Sequence, residues 1–251
     1  MGDKSKISWT DATWNPVTGC TKISEGCRNC YAERMSKRLV AIGQKNYANG
    51  FDHVTCHPHM LDQPIRWKRH RRIFVCSMSD LFHEDVPDGF INQVMGVMSR
   101  ATHHTFLVLT KRPERMHRHF STWGEDPMPN VWVGVTVEDQ KAADERIPIL
   151  VDLDAAVKWL SCEPLIGHVD IARWVHKLDW VVVGGESGPC ARVMCSGWVH
   201  YLYRLCKLTG VPFHFKQWGE YNSMGIRVGK RNAGRIFMGQ TCDEFPGGTN
   251  G

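Results

Sequence analysis

Trp180-Val181-Val182-Val183-Gly184-Gly185-Glu186-Ser187 is the stretch on which the fold turns. A tryptophan and three valines with no polar alternation make a short strand buried on both faces, the habit of a parallel sheet. The glycines and the carboxylate that follow stand where such a strand would end. The same apolar run closed by polar residues recurs at 73–76, 105–109, 131–135, 156–160 and 212–215, and a further early strand is expected around 12–17. Helical patterns fill the intervals at 89–100, 113–120, 140–150 and 198–208. Pro113 suits a first helical turn, and Gly210 stands where a helix should stop.

Strands alternating with helices indicate parallel βαβ units with right-handed crossovers. Seven such strands predict an α/β fold, a partial (βα) TIM-type barrel spanning residues 1–218. A doubly wound open sheet is the rival, since pattern alone does not report closure. From 219 to 251 the pattern turns Gly-rich with short alternating runs, read as a small C-terminal β-hairpin appendage and a disordered end.

Each expected strand runs into a polar cluster: Ser77-Met78-Ser79-Asp80, Thr110-Lys111-Arg112, Thr136-Val137-Glu138, Ser161-Cys162-Glu163, Gly184-Gly185-Glu186-Ser187 and Lys216-Gln217-Trp218. In parallel α/β folds the C-terminal strand ends carry the ligand and the chemistry. A ring of such clusters predicts a polar pocket.

The composition fits a globular chain of 251 residues with 42% hydrophobic content. No apolar run is long enough to span a bilayer, and the N-terminal residues form no apolar signal, so a cytoplasmic protein without membrane attachment is expected. Of the ten cysteines, Cys56, Cys76, Cys162, Cys190, Cys195, Cys206 and Cys242 are scattered singly and read mostly as small hydrophobes in a reducing compartment. Formal net charge is +5, concentrated at 66–72 (RWKRHRR) and 111–119 (KRPERMHRH). Nucleic-acid contact and a solvated face have equal claim on each run.

The remaining cysteines cluster as Cys20, Cys27 and Cys30, spaced Cys-x6-Cys-x2-Cys just before a helical pattern at 31–40. Thiolates suit zinc or iron–sulfur clusters. Three thiolates leave one iron of a 4Fe-4S cluster open, able to take the amino and carboxylate groups of S-adenosylmethionine, whose one-electron cleavage releases a 5′-deoxyadenosyl radical. Structural zinc is an equal reading, with His53, His57 or His59 as fourth ligand. Incidental cysteines are the third.

The run TWNPVTGCTKISEGCRNCYAERMSKRL resembles the signature of the phage-type three-Cys-motif protein family, a group found in phages and bacteria and related to radical SAM enzymes. CSMSDLFHEDVP, LTKRPERM, GVTVEDQKAADERIPIL, SCEPLIG, DWVVVGGESGPCARVM, PFHFKQWGEY and VGKRNAGRIFMGQTCDEFP extend the resemblance over nearly the whole chain. It implies a radical-SAM-like barrel with a 4Fe-4S cluster on Cys20, Cys27 and Cys30, although the usual radical SAM spacing is Cys-x3-Cys-x2-Cys. Ser77, Ser79 and Asp80 follow the second strand, where radical SAM enzymes ordinarily carry a Gly-Gly-Glu motif for the methionine amine. Ser77, Ser79, Asp80, Thr136, Glu138, Ser161, Glu163, Gly184, Gly185 and Glu186 are the expected S-adenosylmethionine contacts. Lys111, Arg112, Arg192, Lys216, Gln217 and Trp218 are the expected substrate contacts.

The structural alternative pairs the acids Asp80, Glu138, Glu163 and Glu186 with Lys111, Arg112, Arg192 or Lys216, and packs Trp218 in the core. The leading functional expectation is a radical enzyme modifying or repairing nucleic acid, DNA foremost, with an electron donor and a partner protein. A radical enzyme for a protein or small molecule, and a zinc-stabilised nucleic-acid-binding or regulatory protein without catalysis, are the alternatives.

Overall fold

The computed structural model describes residues 5–124 and 126–247, and it divides into two compact units. The first comprises Met1–Ile23, Cys30–Val133 and Leu153–Ala156; the second comprises Ser24–Asn29, Gly134–Asp152 and Val157–Gly251.

In the first unit β1 (Ala12–Trp14) is followed at once by β2 (Val17–Thr18). The single early strand expected from sequence is thus broken at Asn15-Pro16, because proline has no N–H for a ladder. The Asn15 side chain instead accepts from the Met78 N–H at 3.1 Å. Helix α1 (Tyr31–Ala41) comes next, then β3 (Thr55–Cys56), which pairs antiparallel with β2, Val17 opposite Cys56. A short α2 (Gln63–Arg66) precedes β4 (Arg72–Val75), α3 (Asp88–Arg100), β5 (Thr105–Thr110), α4 (Pro113–Ser121) and β6 (Val131–Thr136). β4 lies parallel between β1 and β5. α3 buries Phe90, Ile91, Val94, Met95, Val97 and Met98, a broad apolar face at helical spacing.

The second unit takes up β6 at Gly134 and continues with α5 (Gln140–Asp152), β7 (Val157–Cys162), β8 (Trp180–Gly184), α6 (Ser196–Thr209), β9 (Phe213–Gln217) and α7 (Lys230–Ala233). β8 pairs parallel with both β7 and β9 and is buried along its whole length, as its unbroken apolar run requires. α6 ends at Gly210, which takes the left-handed conformation (φ 74°).

Strand order is β1-β4-β5-β6-β7-β8-β9. Strands follow one another in sequence order, with only the β2–β3 ribbon set aside, and the order never reverses. A doubly wound sheet would show a reversal at its switch point. The fold is therefore α/β with the strand order of a partial TIM-type barrel.

After β9 the described residues form isolated antiparallel bridges, Tyr221 with Arg227 and Phe237 with Gln240, and the single turn of α7. A third antiparallel bridge joins Asp243 to His214 of β9. Phe237 ties this segment to the core of the second unit, 5.4 Å from Phe215 and 6.1 Å from Trp218 between ring centres. The expected disordered end, from 248 on, lies outside the described residues. Among the described residues no helix is long and apolar enough to cross a membrane.

Candidate functional site

The cysteine loop runs from the end of β2 to the start of α1, and each unit holds its own part of it. In the first unit, Gly19 turns the chain at φ 86°. A Cβ there would stand 2.1 Å from the His53 carbonyl oxygen, so only glycine fits the turn that delivers Cys20. The Cys20 N–H donates to the Phe51 carbonyl at 2.8 Å. Tyr31, the first residue of α1, donates its hydroxyl to the Ser77 carbonyl at the end of β4.

Arg112, just after β5, is the hub of this part. Its Nη2 donates to Thr21 Oγ1 at 2.9 Å, its Nε to Glu84 at 2.8 Å, and its Nη1 reaches Asp80 Oδ2 at 3.4 Å and Cys20 Sγ at 3.8 Å. Asp80 also accepts from Thr110 Oγ1 (2.7 Å) and from the Phe82 and Lys111 N–H groups (3.0 and 3.1 Å). These donors offset the cost of burying the Asp80 side chain. His83 shares a 2.8 Å hydrogen bond with Thr21 Oγ1. Burial lowers its pKa, and the Arg112 charge adds to the effect, so the ring is neutral at pH 7. Ser77 and Ser79 donate to Asn15 Oδ1 (3.1 Å) and to the Val17 carbonyl (2.8 Å).

In the second unit the loop residues are Ser24–Asn29. Ser24 donates its hydroxyl to Glu138, a fully buried carboxylate that Arg146 also binds at 2.8 Å. Cys27 Sγ lies 3.7 Å from Ser24 Oγ. Asn29 donates to Glu186 Oε2 at 3.1 Å and to the Cys190 carbonyl at 2.7 Å. Arg192 binds both Glu186 oxygens, through Nη2 at 2.7 Å and Nε at 3.0 Å, and extends Nη2 to the Glu25 carbonyl at 2.9 Å. Burial pushes the Glu186 carboxyl up, but its bonds from Arg192 and Asn29 outweigh that and leave it below the ordinary carboxylate value.

Other strand-end residues of this unit form a second group. Lys216 pairs with Glu163 at 2.8 Å, and Ser161 donates to the other Glu163 oxygen at 3.2 Å. Gln217 donates to the Gly185 carbonyl at 3.2 Å. The Trp218 carbonyl oxygen would lie 1.9 Å from a Cβ at Gly185, so this crossing of two backbones admits only glycine. Thr136 is buried, and its carbonyl accepts from Arg146 at 2.7 Å. The Gly184 carbonyl accepts from the Leu165 N–H at 3.0 Å. Trp218 is a core residue: it is 4% exposed, its Nε1 donates to the Ile236 carbonyl at 2.8 Å, and its ring packs on Phe215.

Three of the four acid partners weighed from sequence are present: Arg112 with Asp80, Arg192 with Glu186 and Lys216 with Glu163. Glu138 takes Arg146 instead, a residue the sequence reading passed over because it sits inside a helical pattern. Ser24, Asn29 and His83 were also missed. Two of them lie between the cysteines, where a polar residue is itself a signal.

The ten cysteines are in three states, buried, half-buried (Cys56 among them) and, at Cys190 and Cys195, exposed, and none is in a disulfide. Cys76, Cys162, Cys206 and Cys242 are buried. Burial pushes the Cys76 and Cys206 thiols up to about 12, and raises those of Cys162 and Cys242 as well. Cys20, Cys27 and Cys30 are each half-buried. The Arg112 guanidinium is a donor to Cys20 sulfur, whereas the Ser24 hydroxyl, its proton given to Glu138, offers Cys27 only an acceptor oxygen. Among the described residues no three His, Cys, Asp or Glu side chains converge to hold a single metal ion. His57, a candidate zinc ligand, has its Nε2 hydrogen-bonded to Thr18 Oγ1 at 2.8 Å. An iron–sulfur cluster asks for something different, one thiolate per iron on separate corners. Three half-buried thiols on one loop supply that number and type of donor.

Comparison with known proteins places the chain. A family model described as "Protein of unknown function (DUF5131)" matches residues 4–246, and the chain belongs to that family. No curated protein matches it. A tyrosine-to-phenylalanine mutant of spore photoproduct lyase shares its fold at TM-score 0.51, with 9% identity over 87% of this chain and 79% of that one. A mutant of the same lyase with bound AdoMet and dinucleoside spore photoproduct aligns at TM-score 0.49 and 11% identity, over 82% of this chain and 63% of that one. A cysteine-to-serine mutant aligns at 0.47 and 12%, over 73% and 58%. The chain thus spans less than two thirds of the length of these last two structures.

Proposed function

As a member of that family, this chain is, we propose, a radical-SAM-like enzyme that acts on nucleic acid in modification or repair. The observation that carries the reading is the cysteine loop itself. Three half-buried thiols sit on a loop that each unit fastens with an arginine–carboxylate pair, Arg112–Asp80 in one and Arg192–Glu186 in the other. In support, the fold is shared with a lyase that another solved structure holds with AdoMet and a dinucleoside photoproduct bound.

Cys20, Cys27 and Cys30 are the residues that would hold a 4Fe-4S cluster, and with S-adenosylmethionine it supplies one-electron cleavage chemistry that no side chain provides. The chain's own residues bind and orient. Asp80, Glu138 and Glu186 are saturated by internal donors, and in this reading they position the loop. Direct S-adenosylmethionine contact then falls to Ser77, Ser79 and Thr136, and to Ser161, Glu163, Gly184 and Gly185 at the ends of β7 and β8. Lys111, Lys216 and Gln217 present a cationic and amide surface to an anionic substrate. An electron donor and a partner protein belong to the same reading.

Anaerobic incubation of the reconstituted protein with S-adenosylmethionine and dithionite tests it. Release of 5′-deoxyadenosine, altered in rate or yield by added DNA, is the expected result. No 5′-deoxyadenosine from a protein carrying its full complement of iron and sulfide would overturn it.

A further inference from the structure

The two basic runs of the first unit differ in how far acids absorb them, although Arg72, the last residue of the first run, pairs with Asp11. In the second run, Arg112 and Arg115 bind Asp80, Glu84 and Asp88, and His119 also reaches Asp88 at 3.2 Å. In the first run, Arg66, Lys68, Arg69 and His70 are all exposed. None of the described carboxylates pairs with Arg66, Lys68 or Arg69.

This run is held in a fixed shape. Arg72 opens β4 and lies opposite Thr105, which opens β5, so residues 66–71 and 100–104 share the N-terminal end of those strands. Histidines stitch the two segments together. His70 donates from Nδ1 to the His103 carbonyl (2.8 Å), His103 from Nε2 to the Trp67 carbonyl (2.7 Å), and His104 from Nε2 to the Pro64 carbonyl (3.0 Å). The Arg71 guanidinium stacks 4.7 Å over the Trp67 ring. Exposed Arg100 and His103 add cationic and protonatable groups from the neighbouring segment. Across residues 61–72 and 97–106 the sole carboxylate is Asp62.

We propose that Arg66, Lys68, Arg69 and Arg100, on the platform stitched by His70, His103 and His104, form a binding surface for the phosphodiester backbone of duplex nucleic acid. It lies at the opposite end of β4 and β5 from Ser77–Asp80 and Thr110–Arg112, and is separate from the site proposed above. Guanidinium groups match phosphate oxygens in geometry as well as charge. A preformed cationic edge gains affinity by releasing counterions from a duplex. The exposed aliphatic residue just before the run, Ile65, is too small an apolar face to hold a bilayer. The inference rests on the nucleic-acid part of the proposed function and not on its cluster.

The test is fluorescence anisotropy of the full chain with a labelled, mixed-sequence duplex DNA across a range of salt. Arg66→Ala/Lys68→Ala/Arg69→Ala is expected to weaken binding at least about tenfold at physiological salt. It should also flatten the slope of log K against log salt by about 2–3, near 0.9 for each phosphate no longer neutralised. Lys45→Ala/Lys141→Ala/Lys177→Ala removes the same charge from other surfaces and is expected to change little. Equal loss in both triple variants would reduce the effect to net charge and overturn the proposal. So would unchanged binding in the first, or binding to phosphatidylserine vesicles in place of DNA. Cys27→Ala is expected to keep this binding while losing S-adenosylmethionine cleavage, which separates the failure of one reading from the failure of the other.

Discussion

Arg112 in the first unit and Arg192 in the second make the same kind of connection. Each joins a buried strand-end carboxylate to a piece of the cysteine loop, Asp80 to Thr21 and Glu186 to the Glu25 backbone. They differ in burial and in what surrounds them. The Arg112 side chain is 10% exposed and meets two acids, a threonine, a thiol and a neutral histidine nearby. The Arg192 side chain is 25% exposed; it binds Glu186 face-on through two nitrogens and reaches the exposed Glu25 carboxylate at 3.5 Å. Desolvation makes an ion pair costly to form and costlier to break, so the deeper one should govern stability while the shallower one mainly sets loop geometry.

Removing the arginines sharpens that contrast most. Arg112→Ala leaves Asp80 buried without its cation and is expected to cost about 3 kcal/mol, read from urea unfolding. Arg192→Ala keeps the backbone N–H and Asn29 on Glu186 and should cost about 1.5 kcal/mol. Equal losses would show that burial is not what separates the two.

Acid should strain the first unit before the second. Burial lowers the pKa of His57, His83, His104 and His119, all in the first unit. Each must be neutral in the fold, so the unfolded chain binds more protons and stability falls as pH drops below the ordinary value of 6.5. Glu186 has the carboxylate sign: its contribution is intact above 4.5 and is lost only as pH falls below that. A fall in Tm of roughly 5 °C between pH 7 and pH 5 is expected. His83→Gln should flatten it and Glu186→Gln should not. The smallest effect is expected from Thr21→Val, about 1 kcal/mol for the hydrogen bonds to Arg112 and His83.

Much of the fold was legible because its strands are short, apolar and evenly spaced: all six runs from 73 to 215 became strands within two residues of their expected ends. The break at Asn15-Pro16 was less visible, since it depends on an asparagine side chain serving residues 77 and 78, far along the chain. The polar strand ends were found by position, but not their chemistry. Whether Asp80 meets a ligand or an arginine is decided by the turn after β5, and whether Trp218 faces outward by where Phe237 packs. Neither is local in sequence. Of the two basic runs, composition alone could not tell the one absorbed by acids from the one left exposed.

The central claim is that Cys20, Cys27 and Cys30 hold an iron–sulfur cluster. Iron, acid-labile sulfide and zinc per chain, measured after anaerobic reconstitution of the wild type and of Cys27→Ala, test it most directly. About four iron and four sulfide are expected in the wild type, with the broad visible absorption of a cluster, and loss of both in the variant. One zinc per chain with no sulfide, or a cluster that survives Cys27→Ala, would contradict it.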